Sequence, residues 1–145
     1  MSKSSALCTI NYEKLVKEAI AALDSYYGRD KNTKYIFASA VLTDKGNIYA
    51  ASNYDSDTAS LTLHAEQAAL SHAASHNDAR VVAIAMVGKE DPKGEKLCHP
   101  CGICKQLIWE NSLRSGIPIK VVMSNLKGKY KVKDIKELVP SPWPD

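Results

Sequence analysis

Three of the four cysteines lie within seven residues, in the stretch LCHPCGICKQ (97–106). Cys101 and Cys104 are three residues apart, so on a helix both thiols would lie on one face and could bind the same metal ion. Pro100 suits a helix start, where the free backbone amides and the helix dipole favour a charged thiolate, the form that binds Zn²⁺. The spacing therefore predicts two ligands of a metal site, but not a complete set.

A histidine and a glutamate near the start of the preceding predicted helix offer the missing groups. His64, in LHAEQAAL (63–70), supplies an imidazole nitrogen as a third ligand. Glu66 follows two residues later, so it can converge with His64 only if the helix begins at about this point and His64 has non-helical geometry. Three protein ligands would leave tetrahedral Zn²⁺ with one open position for water, which is typical of a catalytic site.

Other uses of the cysteines are weaker. Cys98 or His99 could complete a closed, purely stabilising zinc site. An iron–sulfur cluster would need a further cysteine downstream. A disulfide is disfavoured by the short spacings and by the reducing compartment expected for this chain, and Cys8 is interpreted as an apolar filler.

Length and charge favour one domain and a small partner. The 145 residues can form a single domain, 1–145, with its own core. The net charge of +3 includes no basic run of the kind that binds nucleic acid or an anionic membrane. We expect neither a leader segment nor a membrane span, and therefore a cytoplasmic protein.

Hydrophobic periodicity predicts alternating elements. A helix capped by Asn11 runs to Gly28, and the turn at 44–47 joins two strands into a hairpin. The predicted strands are Tyr35–Thr43, Ile48–Ala51, Val81–Val87 and Ile119–Met123, and the later helices are His64–Ala74, Cys101–Leu113 and Asp134–Leu138. This order predicts an α/β fold in which helices cover both sides of a mixed sheet.

The two cysteines and the histidine also carry a family resemblance. His-x-Glu followed by Pro-Cys-x-x-Cys is the signature of zinc-dependent nucleobase deaminases. LTLHAEQAALSHA (61–73) and HPCGICKQL (99–107) closely resemble the two helix starts of the cytidine deaminase family. The resemblance implies a three-layer α/β/α fold with a mixed five-stranded sheet and a homotetramer with shared active sites. It also implies one Zn²⁺ per subunit on His64, Cys101 and Cys104, with Glu66 as the catalytic acid and base.

The same resemblance implies the substrate and its contacts. The expected reaction is deamination of cytidine or 2′-deoxycytidine to the uridine nucleoside plus ammonia, in pyrimidine salvage. ASAVLTDKGNIYAASNYD (38–55) is similar to the family's first hairpin, whose Asn-x-Glu ending holds the ribose 3′-hydroxyl. A count without gaps places Asn53 and Asp55 there, and aspartate shortens the reach by about 1.5 Å.

Four further contacts are implied in the same way. The amide of Ala65 and the carbonyl of His99 would fix the pyrimidine, although a small residue is common at position 99. Tyr35 would pack against the nucleoside. Trp143, in ELVPSPW (137–143), would close a pocket, its own or a neighbour's. Plain packing is the alternative for both aromatic residues.

Three other functions stay open. A deaminase of another cytosine nucleoside, such as blasticidin S, would share the zinc motifs, and Asp55 permits it. A tRNA or DNA base deaminase would need a cationic surface. A zinc-stabilised binding module would not need Glu66.

Overall fold

A mixed five-stranded sheet is the centre of the structure, a computed structural model that describes residues 9–145. The strand order is β2-β1-β3-β4-β5; β3 pairs with β4 in parallel, and the other neighbouring pairs are antiparallel. The strands are β1 (Phe37–Thr43), β2 (Ile48–Ser52), β3 (Val81–Gly88), β4 (Lys120–Ser124) and β5 (Tyr130–Asp134). The predicted fold class is confirmed, whereas the interpretation of Cys8 lies outside the described residues.

Helices cover both faces of this sheet. The helices are α1 (Tyr12–Ala22), α2 (Ala65–Ser75), α3 (Gly102–Ser115) and the short α4 (Ile135–Leu138). Side chains of α1 pack on one face of the sheet, and those of α2, α3 and α4 pack on the other, which makes three layers. Among residues 9–145, no helix combines the length and apolar character that crossing a membrane requires.

The first helix begins as predicted and ends early. The Asn11 side-chain oxygen accepts a hydrogen bond from the backbone N–H of Lys14 at 3.0 Å, which caps the helix. The helix ends at Ala22 and a 3₁₀ turn follows, so the prediction of a helix to Gly28 was too long. Tyr26 has non-helical backbone angles, φ −52° and ψ 132°, and Tyr27 pairs with Tyr54 in a parallel bridge. Pairing with a distant segment therefore outweighs the local helical pattern.

The central strand β3 explains the continuous apolar run of the sequence. Its alanines, Ala83 and Ala85, face the α1 side, where small side chains let the helix lie close. Ile84 and Met86 face the α2 and α3 side and are fully buried. Because both faces are covered, no polar alternation appears in this strand.

The sheet topology brings two loops to one end of the molecule. Strand β1 is antiparallel to both β2 and β3, so β2 and β3 point in the same direction. The loops after β2 and β3 lead to the first residues of α2 and α3. The helix starts that carry the predicted ligands therefore lie close together.

A buried carboxylate stabilises the opposite end. Asp78 accepts hydrogen bonds from Thr43, Asn47 and Tyr49 at 2.9, 2.9 and 3.0 Å, which ties the β1–β2 hairpin to the segment before β3. Burial alone would raise the pKa of Asp78, but these hydrogen bonds outweigh it and hold the pKa below its usual value.

Candidate active site

Three predicted ligand residues meet at the starts of α2 and α3. The Nδ1 atom of His64 lies 3.3 Å from Sγ of Cys101 and 3.4 Å from Sγ of Cys104. All three ligand atoms lie within 4.8 Å of one another. The structure therefore brings together the residues that the sequence proposed from two separate segments.

Local geometry at both helix starts makes this convergence possible. His64 is the residue before α2 and has extended backbone angles, φ −69° and ψ 156°, as the spacing to Glu66 required. Its N–H donates to the Gln67 side chain at 2.6 Å, so Gln67 caps the helix. Cys101 is likewise extended and α3 begins at Gly102. Pro100 therefore precedes the cap rather than occupying the first helical turn.

The donor set and spacing fit zinc. In a tetrahedral site with usual zinc bond lengths, a sulfur and a nitrogen ligand are about 3.5 Å apart. The observed 3.3 and 3.4 Å agree with this value. One neutral imidazole and two thiolates balance the charge of Zn²⁺. Burial raises the pKa of the Cys104 thiol above its usual range, which outweighs the expected effect of the helix start; coordination to a cation deprotonates such a thiol.

The described residues supply no fourth ligand to this cluster. Neither Cys98 nor His99 contributes an atom to it. Burial, followed by the nearby charges of Glu66 and Glu90, raises the pKa of Cys98 to about 12. The geometry favours an open, three-ligand site over the closed stabilising site.

Glu66 lies beside the cluster and is 7% exposed. Burial raises the pKa of its carboxyl group; hydrogen bonds from its own backbone N–H and from Cys104, with the charge of His64, partly offset this. A buried carboxyl group next to a metal site can both accept and return a proton.

The cluster opens into a cavity of about 510 Å³. This volume is in the range of small-molecule sites. The predicted site residues that line it are Tyr35, Asn53, Asp55, His64, Ala65, Glu66, His99 and Cys101. The other lining residues are Phe37, Ser56, Ala59, Thr62, Glu90 and Cys98. The site residues predicted from the sequence thus share one cavity, with the exceptions of Cys104, which is fully buried, and Trp143.

Asn53 and Asp55 form a connected pair at the end of β2. The Asn53 side chain accepts from the Phe37 N–H at 2.8 Å, and its amide group donates to the Tyr35 carbonyl at 3.2 Å. The same amide donates to one oxygen of Asp55 at 2.6 Å. Asn53 therefore links the hairpin, the start of β1 and the Asp55 carboxylate.

Aromatic side chains flank the cavity at two positions of one segment. Tyr35 lines it as predicted and is half exposed. Phe37, two residues later, lines it as well. The sequence analysis missed Phe37 because it placed this residue in the hairpin strand and gave it no role in the site. Alternation along the strand, which places residues 35 and 37 on the same side, was the available signal.

Trp143 lies away from the cavity of its own chain. Its side chain is 76% exposed. The backbone carbonyls of Trp143 and Pro144 accept hydrogen bonds from Gln106 and Trp109, both at 2.7 Å, which attach the C-terminal segment to α3. Trp143 is not among the residues that line the cavity of its own chain. A role in a neighbour's pocket stays a prediction.

Comparison with known proteins gives a consistent result. The model of a protein family described as "Cytidine and deoxycytidylate deaminase zinc-binding region" matches residues 9–118. A cytidine deaminase of Halalkalibacterium halodurans is 32% identical over 128 residues, 88% of this chain and 90% of that protein. A cytidine deaminase of Sporosarcina psychrophila is 30% identical over 131 residues, 90% of each.

Solved structures agree with this relationship. The crystal structure of cytidine deaminase from Burkholderia pseudomallei has a TM-score of 0.78 and 26% identity, and the match covers 92% of this chain and 100% of that one. The enzyme from Mycobacterium leprae has a TM-score of 0.72 and 26% identity, with the same coverage.

Proposed function

Because the chain belongs to the cytidine and deoxycytidylate deaminase family, whose members are hydrolases acting on C–N bonds, we propose that it deaminates cytidine and 2′-deoxycytidine. The products are uridine and 2′-deoxyuridine, with ammonia released by hydrolysis. The observation that carries this proposal is the buried Glu66 carboxyl group beside a three-ligand cluster that opens into a cavity.

His64, Cys101 and Cys104 would hold one zinc ion per chain. When bound, the ion lowers the pKa of a coordinated water molecule toward 7 and so supplies a nucleophile at neutral pH. The charge balance of the ligand set and the sulfur–nitrogen distances support this assignment.

Glu66 moves the protons of the reaction. It accepts the proton of the attacking water and delivers it to N3 of cytosine, which makes C4 electrophilic. It then takes the proton of the hydroxyl group added at C4 and transfers it to the amino group, so that the C4–N bond breaks, ammonia leaves and C4 becomes the uracil carbonyl. Burial supports both steps, because it keeps the proton affinity of the carboxyl group above that of an exposed glutamate.

The remaining cavity residues orient the nucleoside. The backbone N–H of Ala65 and the carbonyl of His99 would bind the edge of the pyrimidine, and Asn53 and Asp55 would bind the sugar. Tyr35 would pack against the nucleoside, and Phe37 adds a second apolar surface. All six line the same cavity.

The charge of the cavity favours a nucleoside over a nucleotide or a nucleic acid. Asp55, Glu66 and Glu90 line it, and no lysine or arginine does so within the described part of the chain. A phosphate group would gain no cationic partner there and would be repelled by the carboxylates. We therefore disfavour tRNA or DNA base deamination.

Four broader assignments belong to the same proposal. The chain would act as one deaminase domain in the cytoplasm, in pyrimidine salvage, and would assemble into a homotetramer with shared active sites. Exposure of Trp143 away from its own cavity supports the last of these, because the residue is free to contact a neighbouring subunit.

A second substrate has one observation in its favour. Asp55 lines the cavity where the family pattern has a glutamate, so its carboxylate reaches about 1.5 Å less far toward the sugar. The sugar end of the cavity then differs from the family pattern, which would suit a modified cytosine nucleoside such as blasticidin S.

A substrate panel tests the proposal. Purified protein is incubated with cytidine, 2′-deoxycytidine, blasticidin S and adenosine, and ultraviolet absorbance and ammonia are recorded together. We expect ammonia from the first two substrates and none from adenosine. Deamination of blasticidin S alone would favour the second candidate, and no ammonia from any substrate would favour a binding module.

A further inference from the structure

Both oxygens of the Asp55 carboxylate are held by donors from the protein. The hydroxyl of Tyr26 donates to one oxygen at 2.7 Å. The amide group of Asn53 donates to the other at 2.6 Å. The backbone N–H of Asp55 also donates to the Tyr27 carbonyl at 2.8 Å, so the main chain is fixed at the same point. An aspartate on the cavity wall is thus held in a single orientation.

Burial and the space beside Gly28 place the Tyr26 hydroxyl against Asp55. It is 9% exposed, whereas its neighbour Tyr27 is 58% exposed. A Cβ atom at Gly28 would lie 2.1 Å from the Tyr26 hydroxyl oxygen and 3.1 Å from Cβ of Asp55. Only a glycine at position 28 therefore leaves room for the Tyr26 hydroxyl against Asp55.

The phenol remains a hydrogen-bond donor at all ordinary pH values. The hydrogen bond to Asp55, together with burial and the charge of Asp55, raises the pKa of Tyr26 to about 12. Short bonds to a carboxylate are stronger than those between neutral groups. The contact therefore fixes Asp55 under assay conditions.

A fixed carboxylate is a better sugar ligand than a mobile one. Each carboxylate oxygen has two lone pairs, and the two protein donors use one on each oxygen. The remaining lone pairs can accept from sugar hydroxyl groups, without the entropic cost of ordering the side chain on binding. The side chain of Asp55 is one methylene shorter than that of glutamate and has less reach with which to adjust to the sugar. A fixed orientation therefore matters more for Asp55 than it would for a glutamate.

We propose that Tyr26 is a positioning residue for sugar recognition: it orients Asp55 so that the cavity selects cytosine nucleosides that carry sugar hydroxyl groups. Tyr26 does not line the cavity, so its effect on substrate passes through Asp55. The inference rests on the proposed function, because it concerns the same cavity and the same nucleosides.

The test compares two substrates in one variant. Tyr26→Phe removes only the hydroxyl, and activity is measured with cytidine and with 2′,3′-dideoxycytidine, which lacks both sugar hydroxyl groups. We expect kcat/KM for cytidine to fall about 5- to 30-fold, mainly through KM, because a hydrogen bond to a charged group is lost. The value for the dideoxy nucleoside should change less than about 2-fold.

Matched controls separate positioning from general damage. Tyr27→Phe removes the hydroxyl of the exposed neighbour, which stacks on Tyr54, and should leave both substrates unchanged. In an Asp55→Ala background, Tyr26→Phe should have no further effect on cytidine. Gly28→Ala displaces the Tyr26 hydroxyl by another route and should reproduce the selective loss if Tyr26→Phe proves unstable.

The outcomes are distinct. An equal loss with both substrates would overturn the inference in favour of a purely structural role for Tyr26, and an unchanged kcat/KM for cytidine would overturn it as well. Failure of the proposed function shows separately, because the wild-type protein would then release no ammonia from cytidine; the inference would fall with it.

Discussion

Replacement of Glu66 by glutamine tests the proton transfers at the centre of the proposed reaction. Glutamine keeps the shape of the side chain but cannot accept a proton. Asp55 is held by Tyr26 and Asn53, and Glu90 is exposed, so neither can take over beside the cluster. We expect Glu66→Gln to bind zinc normally and to lose nearly all turnover.

The expected magnitude follows from the number of steps that Glu66 serves. General acid–base catalysis contributes about 10²–10⁴-fold. Because one group serves both the attack and the departure of ammonia, we expect kcat to fall by about 10⁴, equivalent to about 5 kcal/mol of barrier. The assay is the absorbance change on conversion of cytidine, with zinc content measured on the same sample.

A matched variant makes this result specific. Glu90→Gln alters a carboxylate that lines the same cavity but is exposed to solvent, and it should retain activity within about 3-fold. If Glu66→Gln retained more than about a tenth of wild-type kcat, the role assigned to Glu66 would be refuted.

Three further predictions concern Trp143, His99 and Asp78. Trp143→Ala should leave the thermal midpoint unchanged but raise KM if the residue completes a neighbour's cavity; an unchanged KM would remove it from the site. His99→Ala should retain zinc and turnover within about 5-fold, since the proposed contact uses the backbone carbonyl; a complete loss would mean that the ring is required. Asp78→Ala should lower the free energy of unfolding, measured in urea, by about 2–4 kcal/mol, because three donors lose a buried acceptor. Since folding lowers the pKa of Asp78, its contribution is present above the unfolded pKa of about 3.9 and is lost as the pH falls from there through the lower folded pKa; a destabilisation that grew as the pH was lowered from 7 would contradict it.

The metal cluster could be predicted from the sequence because its constraints are local. Cys101 and Cys104 are spaced for one face of a helix start, and the requirement that His64 precede its helix with extended geometry is confirmed by the structure. Each constraint depends on a few consecutive residues, so it does not require knowledge of distant contacts.

Features that depend on distant contacts could not be predicted in this way. Strand β5 alternates lysine with other residues at an exposed edge, and only its pairing with β4 identifies it as a strand. The early end of α1 depends on the bridge between Tyr27 and Tyr54. The contact from Tyr26 to Asp55 joins residues 29 positions apart, and no local pattern signals it.

Metal analysis of three purified proteins tests the central claim most directly, namely that His64, Cys101 and Cys104 hold a zinc ion in an open site. We predict about one zinc per chain in the wild type and in Cys98→Ala, and almost none in Cys104→Ala. Wild-type protein that deaminates cytidine without metal, or loss of zinc from Cys98→Ala, would contradict the claim.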